Sequence, residues 1–235
     1  MSNEQIRIAP YQYIHVQDRQ SNVTRLEKGP QNFTKKDNEI ISVGKDRPID
    51  FVFMQPYEYC LINDPVMRNP KDKQLILDRH GQVKNKIGDS EIRTSFDYTE
   101  PFPLYPGETL AKKEKLPVIP RNQALKLEAL RDFIDGETKH VAGDEWLEFG
   151  PKIYIPRVEA KIVCEIKPSI IEAQKAIKVR ALRQTTDHKG TERQAGEEWI
   201  IRDLGFYIPG IDEIVVDTVY GQIIDDTQAL LLEAK

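Results

Sequence analysis

Long apolar runs are missing from this sequence: nothing approaches the ~20 residues that a membrane-spanning helix requires. The first residues, MSNEQIRI, lack the basic-then-apolar pattern of a signal peptide, so no membrane partner is expected. Cysteine is scarce, with 2 in 235 residues, too few for a disulfide framework. Cys60 and Cys164 fall in different stretches and are expected to be buried, reduced thiols of an intracellular protein. His15, His80, His140 and His188 are scattered, and there is no Cys-x-x-Cys, so a zinc site is not expected. The stretch VGKDR (Val43–Arg47) lacks the upstream glycine and the Ser or Thr of a phosphate-binding loop. No G-x-S-x-G is present either. The expectation is a protein that is not an enzyme, with no catalytic residues, no cofactor and no metal.

A basic excess is also missing. Lys and Arg number 34 against 38 Asp and Glu, a formal net charge of −4, which argues against nucleic acid as a direct partner. Basic and acidic residues are interleaved, as in AKKEK (Ala111–Lys115), and read as solvated faces.

What the chain does contain is itself, several times over. GDEWLEFGPKIYIP (Gly143–Pro156) returns as GEEWIIRDLGFYIP (Gly196–Pro209), so that Trp146 and Trp199, Tyr154 and Tyr207, and Pro156 and Pro209 are each 53 residues apart. Upstream, QALKLEALR (Gln123–Arg131) matches KAIKVRALR (Lys175–Arg183), and QALLLEAK (Gln228–Lys235) is a third copy. APYQYIHVQD (Ala9–Asp18) returns as QPYEYCLIND (Gln55–Asp64), pairing Tyr13 with Tyr59 at a step of 46, and EKGPQNFT (Glu27–Thr34) echoes EFGPKIYI (Glu148–Ile155). Self-similarity at a fixed period is the signature of a repeat architecture. The units fall at 1–52, 53–115, 116–167 and 168–221, with the start of a fifth at 222–235. Units of about 50 residues bury little surface alone and are expected to lean on their neighbours.

By propensity QALKLEALRDF is a helix. The copies favour a strand. Leu125, Leu127 and Ala129 alternate with Lys126 and Glu128, while Ile177, Val179 and Ala181 alternate with Lys178 and Arg180. Period-2 alternation survives in both copies, as it does in Leu230, Leu232 and Ala234, whereas helix propensity does not. DGET (Asp135–Thr138) and DHKG (Asp187–Gly190) are placed as hairpin turns, the next strand carries the tryptophan, and the proline of each YIP ends a strand. The fold class expected is all-β: a tandem array of small antiparallel modules.

Trp146 and Trp199 stand at equivalent places and read as core anchors, since an indole supplies much buried area to a small module. Tyr154 and Tyr207 read the same way, with Pro156 and Pro209 closing their strands. Tyr11 with Tyr13, and Tyr57 with Tyr59, are two apart and expected on one strand face, packed against the next unit. Asp132, Asp135, Glu137, Asp144 and Glu145 are dense enough to raise the question of calcium. They fail the EF-hand pattern, having Gly143 at the twelfth place from Asp132, and read as acidic turns.

Three strings carry a resemblance. YQYIHVQDRQSNVTRLEKGP (Tyr11–Pro30), FPLYPGE (Phe102–Glu108) and VAGDEWLEFGPKIYIPR (Val141–Arg157) closely resemble the N-terminal repeats of the major vault protein family. The likeness runs in order from Ile6 to Lys235. It implies a structural role. Chains of the family stand side by side in the wall of the vault, a hollow cytoplasmic ribonucleoprotein particle, with these repeats near its waist. It also implies a cytoplasmic location, with the nucleus as a second compartment, and other copies of the family protein as partners. The vault poly(ADP-ribose) polymerase is the further partner that the family assigns to such repeats, so a docking platform built on the third and fourth units is the alternative. In the family a shoulder domain and a cap helix follow the repeats. Without them these units alone are expected to be monomeric or weakly associated, because outward faces of alternating charge offer no long hydrophobic stripe.

Overall fold

A computed structural model describes residues 5–222 and Ala229. The chain forms two compact units, one running through Leu116 together with Ile155–Val158, the other over Pro117–Tyr154 and from Glu159 onward. Among the described residues all regular structure is β-strand. Within the first unit, one set of strands comprises β1 (Gln5–Ile8), β2 (Gln12–Asp18), β3 (Thr24–Lys28), β4 (Gln31–Thr34), β5 (Glu39–Val43) and β6 (Ile49–Asp50). A second set comprises β7 (Glu58–Asn63), β8 (Ser90–Thr94) and β9 (Thr109–Lys115). The second unit opens with β10 (Val118–Ile119), β11 (Ala124–Ala129), β12 (Phe133–Asp135), β13 (Thr138–His140), β14 (Glu145–Phe149), β15 (Lys152–Ile153) and β16 (Ala160–Ile166). It continues with β17 (Ser169–Ile171), β18 (Lys175–Ala181), β19 (Thr185–Thr186), β20 (Glu192–Arg193), β21 (Glu198–Ile201), β22 (Gly205–Tyr207) and β23 (Glu213–Tyr220). The predicted fifth unit, with Leu230, Leu232 and Ala234, lies outside the described residues apart from Gln222 and Ala229.

One plan recurs four times. A central strand is flanked antiparallel on both sides, in the orders β3-β2-β5, β8-β7-β9, β14-β11-β16 and β21-β18-β23. The alternating residues account for this. Leu125, Leu127 and Ala129 in β11, and Ile177, Val179 and Ala181 in β18, are buried as one face of a strand. Ala124 therefore heads a strand despite its helix propensity, because burial of that face outweighs a few tenths of a kcal/mol per residue. In all four sheets the register with the closing strand slips by one residue, between His15 and Val16, Leu61 and Ile62, Lys126 and Leu127, and Lys178 and Val179. These are β-bulges at one repeat position, which bend and twist the sheet there.

A short ribbon packs against each sheet: β1 with β4, a single bridge between Val52 and Phe102, β10 with β15, and β17 with β22. Each sheet and ribbon enclose a separate small core. Ile8, Ile14, Val16, Phe33 and Ile41 form the first, and Met54, Cys60 and Ile62 with Phe102 the second. Ile119, Leu125, Leu127 and Tyr154 form the third, and Ile171, Ile177, Val179, Trp199 and Tyr207 belong to the fourth. Arg93 completes the second core, fully buried and ion-paired to Glu108 and to Glu91, with its guanidinium over Tyr98 and Phe102. Burial alone would lower its pKa, but the hydrogen bonds to Glu108 and Glu91 outweigh that and raise it.

Three expectations are corrected. Tyr11 and Tyr57 do not share a strand face with Tyr13 and Tyr59; they occupy corners with φ of 59° and 64° and are more than half exposed. Asn122 and Gln174 hold the same corner in the later repeats, with φ of 60° and 66°. The following amide closes each turn, Gln12 N on Ala9 O, Glu58 N on Gln55 O, Gln123 N on Pro120 O and Lys175 N on Glu172 O. Four non-glycine residues in the left-handed region at one repeat position mark a turn that the ladder dictates. Cys60 is buried, which raises its thiol pKa, but Cys164 is exposed because β16 is the outer strand of its sheet. The DGET and DHKG hairpins form, as the tips of separate ribbons, β12 with β13 and β19 with β20. A further strand thus intervenes before each tryptophan.

Candidate functional site: repeated anchors and exposed apolar faces

The residues singled out by the repeat are placed as follows. Tyr154 and Tyr207 are buried at the ends of the ribbons, and Phe33 and the partly buried Phe102 hold the same place in the earlier repeats, an equivalence that the changing step obscured for Phe102. The Tyr207 hydroxyl donates to Glu213, whose other bond is from Gly210 N at 2.8 Å. Burial, and then that bond to a carboxylate, raise the Tyr207 pKa. Tyr13 and Tyr59 are buried at the first turn of their central strands, and the Tyr59 hydroxyl donates to Glu114 at 2.7 Å. Pro156 and Pro209 are half-buried.

The tryptophans differ. Trp199 is 8% exposed and belongs to the fourth core, with the Arg193 guanidinium 4.9 Å above its ring. Arg193 is held there by Asp187 and Glu197. Asp187 also accepts the Lys189 and Thr191 amides at 2.9 Å each. Burial pushes the Asp187 carboxyl up, but the amide bonds and Arg193 outweigh it and hold it below the usual range. Trp146 is only half-buried, packed on the edge of the third core. His140, at the position equivalent to Arg193, lies 4.2 Å from it, and Phe133 stacks on His140 at 4.9 Å.

The acidic residues have structural employment. In six turns the carboxylate of the fourth residue accepts the backbone N–H of the first: Glu39 from Lys36, Glu58 from Gln55, Glu108 from Tyr105, Asp144 from Val141, Glu197 from Gln194 and Glu213 from Gly210. Asp132 accepts from Ala142 N, and Glu145 pairs with Lys126. Among the described residues no group of three His, Cys, Asp or Glu side chains comes together as a metal site.

A feature that the sequence reading missed lies on the outside. Val118 faces Ile153 across one ribbon, and Ile170 faces Phe206 across the next; these are 65%, 36%, 48% and 61% exposed. Val163 and Val216, the bulged residues of β16 and β23, are exposed as well, as are Leu130 and Leu182. Every pair is 52 or 53 residues apart, so the repeat keeps an apolar residue where its own core does not need one. The expectation of charged outward faces without an apolar stripe is therefore corrected for the second unit. Subtracting the buried positions from the repeat would have found it.

Comparison with known proteins bears on the repeats. Residues 51–113 match one family model described as a Major Vault Protein repeat domain, and residues 117–157 and 169–210 match a second of the same description. The chain is 47% identical over 233 residues to major vault protein alpha of Dictyostelium discoideum, covering 99% of this chain and 27% of that one. The chain belongs to the major vault protein family. It is also 45% identical over 229 residues to the major vault protein of Strongylocentrotus purpuratus, covering 97% of this chain and 26% of that protein. To the Mus musculus protein it is 42% identical over 232 residues, 98% of this chain and 26% of its relative. The chain thus spans about a quarter of the length of these curated relatives. The second, third and fourth sheet-and-ribbon sets fall within the matched repeat models, and they share the bulge, the left-handed corner and the buried ribbon aromatic with the first.

Proposed function

We propose that this chain is a structural wall element of a vault particle, not an enzyme, and that its repeats, at 1–52, 53–115, 116–167 and 168–221, pack side by side with those of other copies near the particle waist. The observation that carries this reading is the apolar pairs Val118–Ile153 and Ile170–Phe206, exposed at equal places in successive repeats. Apolar groups left in water at a fixed period suit a partner with the same period. A second copy in register satisfies each of them at once. Each contact is small, and many of them add through effective concentration once something holds the chains together. By themselves these repeats are therefore monomeric or weakly associated at micromolar concentration.

Sedimentation of the chain across micromolar to millimolar concentration tests this. Weak self-association is expected, and Val118→Asp with Ile170→Asp should abolish it without lowering the melting temperature. Association indifferent to both substitutions would remove the basis for the reading. A second reading, a docking platform for a partner enzyme of the vault poly(ADP-ribose) polymerase type, rests on the unequal distribution of these faces. In the first repeat the equivalent pair is the polar Arg7 and Asn32. Retention of such an enzyme by residues 115–221 alone would favour it. In either reading the particle is cytoplasmic, with the nucleus as a second compartment.

A further inference from the structure

The second repeat carries something that the assembly reading does not use. Between β7 and β8 the chain makes an excursion, Asp64–Asp89, where Arg19–Val23 suffices between β2 and β3. The β8-β7-β9 sheet pairs without it, yet it is ordered by its own bridges, Val66 to Asn85, Arg68 to Leu75 and Leu77 to Val83. Connections this long that carry no sheet of the fold are commonly functional. Its composition inverts the charge of the chain: six Lys and Arg against four Asp, in a protein of net charge −4.

The stem of the excursion and β8 with its following turn enclose a cleft of about 690 Å³, within the size range of small-ligand sites. Three cations line it: Arg68, Lys73 and Lys86. Arg68 is positioned by its bond to Lys73 O at 3.2 Å and by the Tyr105 ring beneath it at 5.4 Å. Neither the Lys73 nor the Lys86 ammonium has a carboxylate within ion-pair distance among the described residues, although carboxylates outnumber cations in this chain. The two acids of the lining are occupied otherwise. Glu91 is ion-paired at 2.8 Å to Arg93, which Glu108 shares, and Asp97 accepts from the Thr94 hydroxyl at 2.7 Å, so the three cations outnumber the two acids of the lining.

We infer that this cleft binds a small polyanion bearing two or more phosphate groups, held by Lys73, Lys86 and Arg68. Several charges on one compact ligand are needed to satisfy cations contributed by different segments, and Arg and Lys are the side chains that serve phosphate oxygens. The cleft lies wholly in the second repeat, so the inference stands or falls independently of lateral assembly.

Titration calorimetry of the whole chain with inorganic triphosphate is the test, with a polyglutamate peptide as the second probe. Saturable, one-to-one triphosphate binding is expected. Lys73→Glu and Lys86→Glu should each weaken it by about tenfold or more, the value of a charge-assisted contact. Lys115→Glu, the same change of charge on the exposed strand β9, should leave it unaltered. All three positions are exposed, and a far-ultraviolet spectrum checks each fold. No triphosphate binding at millimolar concentration overturns the inference, as does an equal loss in Lys115→Glu, which would show diffuse ionic attraction. Capture of polyglutamate in preference to triphosphate overturns it too, and reassigns the cleft to an acidic protein segment.

Discussion

The third and fourth repeats solve one problem with different chemistry. Each must cover a tryptophan that its short hairpin reaches. In the fourth, Arg193 lies over Trp199 and is tethered by Asp187 and Glu197, so the indole is sealed beneath an ion-paired lid. In the third, His140 and Phe133 stack beside Trp146, which stays only partly buried. The backbone frame is common to both, down to the bulge and the corner turn. A repeat therefore preserves where a group sits and leaves free what holds it there. Indoles at equal places do not carry equal energy.

The largest test of that contrast is truncation. Trp199→Ala should cost about 3–5 kcal/mol, as for a buried aromatic, whereas Trp146→Ala should cost less because it is only partly buried at the edge of its core. Urea unfolding of both variants measures the difference, and equal losses would erase the distinction. Backbone clearance gives the next effect. A Cβ at Gly150 would overlap the Pro120 carbonyl, as one at Gly29 would overlap that of Ala9. Gly150→Ala should destabilise by about 1–3 kcal/mol. In the fourth repeat Asp203 stands at that place and is exposed, so Asp203→Ala should leave the melting temperature nearly unchanged. If Gly150→Ala melts like the parent, the two repeats have the same clearance.

The ion-paired lid also predicts a dependence on pH. Because Asp187 is held below its ordinary pKa, its contribution is fully present above the unfolded value near ~4 and is lost as pH falls through the lower folded value. Acid should therefore loosen the fourth repeat, and Asp187→Asn should flatten that slope. Trp199 fluorescence in a Trp146→Phe background reads this repeat alone. A slope unchanged by Asp187→Asn would mean that other carboxylates set the acid limit. The smallest effect is the exchange of lids. His140→Arg should alter stability by only about 0.5–1 kcal/mol, the value of a cation–π contact, with Asp135 and Asp144 already standing at the places of the tethers Asp187 and Glu197. A Trp146 emission unmoved toward that of Trp199 in the variant would show that the cation alone does not make the lid.

Much of this was legible because the chain supplies its own comparison. One copy of ALKLEA reads as helix, and the second, with β-branched residues at the same places, excludes it. The buried tyrosines at 154 and 207 were found by their spacing. The echo of EKGPQNFT in EFGPKIYI aligns Phe33 with Tyr154, whereas Phe102 escapes the spacing because the step changes where the second repeat takes its excursion. Tyr11 and Tyr57 were misplaced because a residue two places from a buried tyrosine looks like its face-mate until the turn closes between them. Cys164 was misplaced because burial of a thiol depends on which strand is outermost, and order in a sheet is not written locally.

By itself the sequence determined the period, the strand identity of the alternating segments, the hairpin turns at Asp135 and Asp187, and membership in a family. All of these depend on residue type and spacing along the chain. Only the tertiary structure decided the bulges, the left-handed corners, the unequal covers of Trp146 and Trp199, the exposed ribbon pairs and the cationic cleft of the second repeat. Each of those depends on which segments meet across the sheet, where a one-residue slip of register reassigns every side chain from core to surface.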